Sequence, residues 1–259
     1  MIDAMAAEWA KLRTVRSTYC TLAAAALFLV LVTLLAVEMA QVWNGLDARR
    51  RSEYELRPLQ ELATWAAALC LGVLGVLSIT SEYRTGMIRT TLAVLPRRGT
   101  LVAAKAVVVG TVALVAGEVV TLGAFLGTRL IIGGRPFPDQ RESIAHELPG
   151  FLISGASVAL FALLGLALGL LLRSTAGAIV SVVLLWHVVP LLVFHLPGPW
   201  NERIGSVLPG ALPRQIAGIS ADDSVFGDLL SPGVAAALTL AYVLVPLGLA
   251  AFVLKRRDA

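Results

Sequence analysis

The sequence predicts an all-α, polytopic membrane protein with six transmembrane helices. Of its 259 residues, 58% are hydrophobic and only 15% are charged, whereas soluble domains are about 45–50% apolar. Six apolar runs each reach about 20 residues, the length that a helix needs to cross the roughly 30 Å hydrocarbon core. The alternating apolar and polar segments of an outer-membrane barrel are absent from the sequence. Helices are therefore the structures that can satisfy the backbone of these runs in lipid.

The predicted spans follow one another along residues 1–259, which we treat as a single transmembrane domain. They run from Thr18 to Ala40, Leu59 to Thr80, Leu101 to Leu126, Gly150 to Leu172, Ala176 to Phe194 and Pro232 to Leu254. The first run is longer than the roughly 7–15-residue core of a signal peptide and no small-x-small cleavage site follows it, so we expect it to remain as a span. In the fourth span, Gly165 and Gly169 form a GxxxG pattern that permits close helix contact.

The N-terminal segment, residues 1–17, has the periodicity of an amphipathic helix. At about 100° per residue, one side carries Ile2, Met5, Ala6, Trp9 and Leu12. We expect this helix to lie on the inner membrane surface, with Trp9 at headgroup depth and with Lys11 and Arg16 facing anionic lipid. The alternative is an ordinary basic flank of the first span.

The basic residues indicate the orientation of the chain. An even number of spans puts both termini on one side, and lysines and arginines are denser in the short segments on that side. Such a bias predicts cytoplasmic termini, although the cluster from Arg49 to Arg51 on the other side argues against it. We expect these basic residues to interact with the lipid bilayer and not with nucleic acid.

Two ionisable residues fall deep within predicted spans, Glu118 in the third and His187 in the fifth. Such groups are costly in a bilayer and are candidates for function. They would either form a proton relay or contact a cationic substrate, or each would be satisfied by a neighbouring helix. The three histidines lack the paired spacing of an HExxH site, so we expect neither a metal site nor catalytic residues.

The loop after the second span, "SEYRTGMIRTTLAVLPRR" from Ser81 to Arg98, predicts a short helix. Gly86 permits a turn, the next residues form one or two helical turns, and Pro96 ends them. The apolar side chains of this helix are Met87, Ile88, Leu92 and Leu95. They need a cover, which would be lipid, another part of the chain or a partner protein.

The same loop resembles the first cytoplasmic loop of type-2 ABC exporter permeases, the membrane subunits of bacterial drug and antibiotic export systems. The resemblance rests on the order Glu82, Gly86, Met87-Ile88, Leu92, Pro96, Arg98 and Lys105. Met87 replaces a usual threonine, and Ala104 stands where a glycine often precedes the lysine. The N-terminal arm, the six spans, the tight turn "LLRSTAGA" and the long last outer loop extend the resemblance over the whole chain.

The resemblance implies that residues 81–99 hold a coupling helix, which docks into a groove of a separate ATPase subunit, and that residues 1–17 form an elbow helix. Glu82 and Arg84 would face the ATPase or the elbow helix, and Gly86 would allow the turn. An apolar key would consist of Ile88, Leu92 and Leu95, followed by Pro96. Charged contacts at its rim would come from Arg89, Arg97 and Arg98.

The resemblance also implies a non-enzymatic transport subunit. Two permease subunits, identical or related, would form the pathway in the bacterial cytoplasmic membrane, lined by the second and fifth spans. ATP and magnesium would bind to the partner ATPase, and this chain would bind no cofactor. Independently, the sequence lacks the GxxxxGK[ST] loop that binds nucleotide phosphates.

Two alternatives from other classes are an intramembrane protease or lipid-modifying enzyme and an ATPase-independent secondary transporter. The enzyme would need paired polar groups at one depth, where only Glu118 and His187 come close. The transporter would need the paired broken spans of an inverted repeat, which are missing. Residues 195–231 form a long outer loop, either as short helices broken at Pro209 and Pro213 or as an irregular solvated loop.

Overall fold

The computed structural model describes residues 1–52, 59–94, 98–133, 135, 144–218 and 227–256, and these contain helices and no strand. The helices before the middle of the chain are α1 (Ile2–Thr14), α2 (Arg16–Gly45), α3 (Ala48–Ser52), α4 (Leu59–Thr85), α5 (Met87–Val94) and α6 (Arg98–Ile132). The later helices are α7 (Ile144–Leu172), α8 (Thr175–Val183), a π-helical segment (Leu184–Val188), α9 (Val189–Phe194), α10 (Trp200–Val207), α11 (Leu212–Ala217) and α12 (Pro232–Arg256).

All six predicted spans are confirmed within the described part of the chain. Helices long and apolar enough to cross a membrane cover Arg16–Gly45, Leu59–Thr85, Arg98–Ile132, Leu148–Leu172, Thr175–Phe194 and Pro232–Arg256. Several extend past the apolar runs, because polar residues can continue a helix once it has left the hydrocarbon region. The protein is therefore an all-α, integral membrane protein.

The second and fourth spans, α4 and α7, form the centre of the bundle and touch along glycines. A Cβ atom on Gly75 would lie 1.9 Å from the Ala162 carbonyl oxygen, and one on Gly165 would lie 2.1 Å from the Gly72 carbonyl oxygen. Gly169 is also close to α4, since its Cβ would lie 2.7 Å from Ile79 Cγ2. The close contact predicted from Gly165 and Gly169 is confirmed.

The fifth span is interrupted by the π-helical segment, and Pro190 explains the interruption. Proline has no N–H, and its ring collides with the carbonyl four residues earlier in a regular α-helix. The chain widens here, so that the Val189 amide bonds to the Leu184 carbonyl. The extra residue fixes the rotation of Trp186 and His187 relative to the rest of the span.

The outer segment before the last span contains two short helices, α10 and α11, with Pro213 in the first turn of α11. Gln215 is buried behind them, where its amide nitrogen donates to the Ser206 carbonyl at 2.8 Å and its amide oxygen accepts from the Leu230 amide at 2.8 Å. Of the two expected forms, short helices are confirmed for the described part of this segment.

Candidate functional site

Four charged side chains meet at the end of the bundle that carries both termini. Glu8 and Lys11 come from α1, Glu82 from the last turn of α4, and Lys105 from the second turn of α6. We call these four residues the charge cluster. Glu8, Glu82 and Lys105 are only 3%, 1% and 3% exposed, respectively.

The charge cluster is internally paired. The Lys105 ammonium bonds to Glu8, to Glu82 Oε1 at 2.8 Å and to the Ser78 carbonyl oxygen at 3.1 Å. The Lys11 ammonium bonds to Glu8 Oε1 at 2.7 Å and to Glu82 Oε1 at 3.0 Å. Two carboxylates and two ammonium groups leave the cluster neutral. Removing any one of them would leave a buried charge uncompensated, which is strongly destabilising.

The environment of Lys11 shifts its ionisation. Burial lowers the pKa of the Lys11 ammonium, but hydrogen bonds and attraction from Glu8 and Glu82 outweigh burial, so the pKa lies above its ordinary value of 10.5. Lys11 therefore remains charged at neutral pH and holds α1 against the end of α4.

The short helix α5 is attached to this cluster and to the bundle. Gly86 has φ 72, a left-handed conformation that glycine adopts without strain, and it turns the chain from α4 into α5. Thr91 Oγ1 accepts a hydrogen bond from the Lys11 ammonium at 3.3 Å. Ile88 is buried with Ile79, Leu101 and Leu254. Three spans and α1 therefore fix the position of α5.

The prediction that Ile88 and Leu92 point outwards as an apolar key is wrong for Ile88, which is buried, and Leu92 packs against the same apolar cluster. Residues four apart lie on one face of a helix, and the chain itself covers that face of α5. Leu95, Pro96 and Arg97 lie outside the described residues. The exposed face carries Arg89 and, just before the turn, Arg84.

Arg98 also differs from the sequence prediction of a charged contact at the rim. Its guanidinium donates to the Leu254 carbonyl oxygen at 2.6 Å, at the end of α12. The last carbonyls of a helix lack partners within the helix and carry partial negative charge. Arg98 therefore joins the start of the third span to the end of the sixth.

Of the three residues expected to anchor α1 in lipid, Lys11 is corrected, because its ammonium points into the charge cluster. Trp9 and Arg16 are exposed, and their contact with lipid stays a prediction. Glu82 takes the second of its two expected orientations, towards the elbow helix α1.

The structure does not join Glu118 and His187. No hydrogen bond links them among the described residues, and each has a buried polar atom without a partner there, Glu118 Oε2 and His187 Nδ1. Glu118 lies against Gly155 of α7, whereas the His187 ring contacts the Trp65 ring at a tilt of 51°, with centroids 4.1 Å apart. The two residues thus have different neighbours, and a role for them, as a pair or separately, stays a prediction.

Sequence reasoning missed Glu8, Thr91 and the pairing of Lys105. The signals were present: Glu8 and Lys11 stand three apart on a helix, and Lys105 is a charge inside an apolar run. The contact between Tyr83 and Arg173 had no signal. Arg173, in the turn between the fourth and fifth spans, places its guanidinium carbon 5.2 Å from the Tyr83 ring centre.

The arrangement is suited to connecting helices. Among the described residues, no three histidine, cysteine, aspartate or glutamate side chains converge as metal ligands. The charge cluster instead joins α1, α4, α5 and α6 with directional, charge-assisted hydrogen bonds, which are among the stronger ones in proteins.

Comparison with known proteins identifies the family of the chain. A family model described as ABC-2 family transporter protein matches residues 4–189, which include most of α1, the charge cluster, α5 and the first four spans. No individual curated protein matches the chain.

Proposed function

Because the chain belongs to the ABC-2 family of transporter proteins and is a membrane permease component of an ABC transporter, we propose that it forms the export pathway and is driven by a separate ATPase subunit. The family implies an ABC transporter with an ATPase partner. We further propose a bacterial drug-type or antibiotic-type exporter of the cytoplasmic membrane, with both termini in the cytoplasm and with two permease subunits around the pathway.

The observation that carries the proposal is the fixed position of α5. This helix follows the second span through Gly86, lies within the family match, and is bonded to α1 through Thr91 and Lys11. A free loop would absorb a push from outside by bending. A helix packed against three spans passes the displacement on to them.

In the proposed mechanism, two ATPase subunits close around ATP and displace α5. ATP favours one state of the permease only through its different affinity for the two states. The charge cluster makes α1, α5 and the cytoplasmic ends of the second and third spans move together. The contact of Tyr83 with Arg173 extends this connection to the turn before the fifth span. The second and fifth spans then move together and open the pathway first to one side of the membrane and then to the other.

The first experiment co-expresses the tagged chain with a P-loop ATPase subunit from the same genome, and a subunit encoded by a neighbouring gene is the first choice. We expect the two to purify together and the complex to hydrolyse ATP faster than the isolated ATPase. Failure of the wild-type chain to retain the ATPase under mild detergent conditions would contradict the proposed function.

A matched pair of threonines tests the transmission. Thr91 bonds to Lys11, whereas the exposed Thr90 bonds to the Met87 carbonyl within α5. Thr91→Val should reduce the stimulation of ATPase activity about twofold to fivefold, because the bond is long at 3.3 Å and should contribute less than the roughly 1.5–3 kcal/mol typical of a hydrogen bond to a charged group. Thr90→Val should leave the stimulation unchanged, and an equal effect of both variants would contradict the proposed connection.

A further inference from the structure

The surface formed by the exposed face of α5 and by its surroundings is basic rather than apolar. At this end of the bundle, the described residues with exposed charged side chains are Asp3, Arg13, Arg16, Arg84, Arg89, Lys255 and Arg256. The acidic residues Glu8 and Glu82 are buried and already neutralised by Lys11 and Lys105. The surface that remains therefore has a strong excess of positive charge.

Arg84 and Arg89 are the part of this surface nearest the turn at Gly86. Within the described part of the chain, neither side chain has a hydrogen bond or ion pair, and both are exposed. Guanidinium groups bind carboxylates in a planar, two-bonded geometry. A surface of this kind fits an acidic partner.

Resting on the proposed function, we propose that α5 docks electrostatically, with Arg84 and Arg89 paired to carboxylates that line the groove of the ATPase subunit. Ile88 and Leu92 of α5 hold the helix in the permease instead of entering the groove. Docking should therefore be steered by charge and weakened by salt, unlike docking through an apolar key.

Anionic lipid is the other occupant that a basic surface would accept. Helices that bind a membrane surface keep an exposed apolar side that enters the lipid. The first helix has such a side, since Ile2 is 82% exposed and Trp9 is 46% exposed. On α5 the one exposed large hydrophobic residue described is Met87, at 38%. The observations favour an acidic protein groove.

The test measures how much co-expressed ATPase the tagged full-length chain retains in detergent, as KCl is raised from about 50 mM to about 500 mM. We expect the wild-type complex to weaken with salt. Arg84→Glu combined with Arg89→Glu should lower retention about tenfold at low salt, because attraction becomes repulsion. Exchanging acidic residues of the ATPase groove for lysine should restore retention by this double variant.

The matched control is Arg203→Glu, which reverses an exposed arginine of α10 at the opposite end of the bundle and should not change retention. If the double variant fails to fold, Arg84→Gln with Arg89→Gln decides, with a smaller loss expected.

Retention that is insensitive to these charges and to salt would overturn the inference while leaving the proposed function intact. A second result would also overturn it: the double variant retains the ATPase normally but loses the stimulation of ATPase activity by phosphatidylglycerol in phosphatidylcholine vesicles. That result would assign the surface to lipid. Absence of any wild-type complex would instead remove the proposed function itself.

Discussion

At the scale of single residues, the charge cluster shows how a membrane protein accommodates four acidic and basic side chains between its helices. Glu82 Oε1 accepts from both lysines, and each carboxylate of the cluster contacts both ammonium groups. Buried ion pairs contribute little to stability compared with apolar replacements, but breaking one is costly. The cluster therefore fixes the arrangement of α1 more than it adds to overall stability.

Replacing Lys105 with methionine, which has a similar length and no charge, tests this account. We expect Lys105→Met to destabilise the fold by about 3–5 kcal/mol, since Glu8 and Glu82 then share Lys11 alone. Thermal unfolding in detergent measures the change.

Adding Glu8→Gln to Lys105→Met should recover part of the loss, because it removes the excess carboxylate. Arg203→Met, at an exposed arginine, is the control and should be neutral. Losses from Lys105→Met and Glu8→Gln that simply add would show that the two residues are not coupled.

The raised pKa of Lys11 makes the attachment of α1 depend on pH at the alkaline end. Because the folded pKa lies above the ordinary 10.5, this contribution is fully present below 10.5 and is lost as pH rises through the folded value. We expect α1 to resist proteolysis at neutral pH and to become cleavable once the pH exceeds the folded pKa of Lys11.

Lys11→Met should remove this pH dependence, whereas Lys255→Met, at an exposed lysine of α12, should preserve it. The same alkaline loss in Lys11→Met and in the wild type would assign the transition to another group.

At the scale of helices, glycine decides how closely the two central spans approach. Apolar side chains give little net attraction between helices in lipid, so close packing through small residues provides much of the association. Gly75 of α4 and Gly165 and Gly169 of α7 meet the opposite helix at distances that leave no room for a Cβ, and a Cβ on Gly72 would lie 3.0 Å from Val182 Cγ1 of α8. The second and fourth spans are thus held together by close backbone contact at these glycines.

Gly75→Ala should separate α4 from α7, because its Cβ would lie 1.9 Å from the Ala162 carbonyl oxygen, a backbone atom. We expect a loss of about 1–3 kcal/mol, typical of an overpacked core, measured by thermal unfolding in detergent. Gly248→Ala in α12 is the matched control, since nothing lies within 4 Å of its Cβ. Equal unfolding temperatures for the two variants would contradict the packing argument.

At the scale of the whole molecule, the spans place two differently built ends on opposite sides of the membrane. One end holds α1, α5 and the charge cluster. The other holds α10 and α11, where Arg214 of α11 pairs with Glu61 of α4. The orientation of these ends decides whether α5 can meet a cytoplasmic ATPase.

Labelling of intact cells with a membrane-impermeant maleimide tests that orientation. In a background carrying Cys20→Ser and Cys70→Ser, we expect Asp47→Cys and Arg203→Cys to be labelled, since they lie on the predicted outer side. Arg13→Cys and Arg89→Cys should be labelled only after the membrane is permeabilised. The reverse pattern would contradict cytoplasmic termini.

The sequence was sufficient for features that depend on local pattern. The six spans follow from apolar length, α1 from its periodicity, and the turn at Gly86 from a residue that adopts positive φ without strain. The family resemblance rested on the same local order of residues, and the family match agrees with it at the level of an ABC-2 permease.

The tertiary structure decided which neighbour each side chain meets. Lys11, Ile88 and Arg98 all had local patterns that suit an exposed surface, yet each contacts a helix distant in sequence. Periodicity identifies the apolar face of α5 but leaves open what covers it. The inward packing of Ile88 and the neutralisation of Glu82 depend on how α1, α4 and α6 meet, and the same packing leaves Arg84 and Arg89 exposed around the turn into α5.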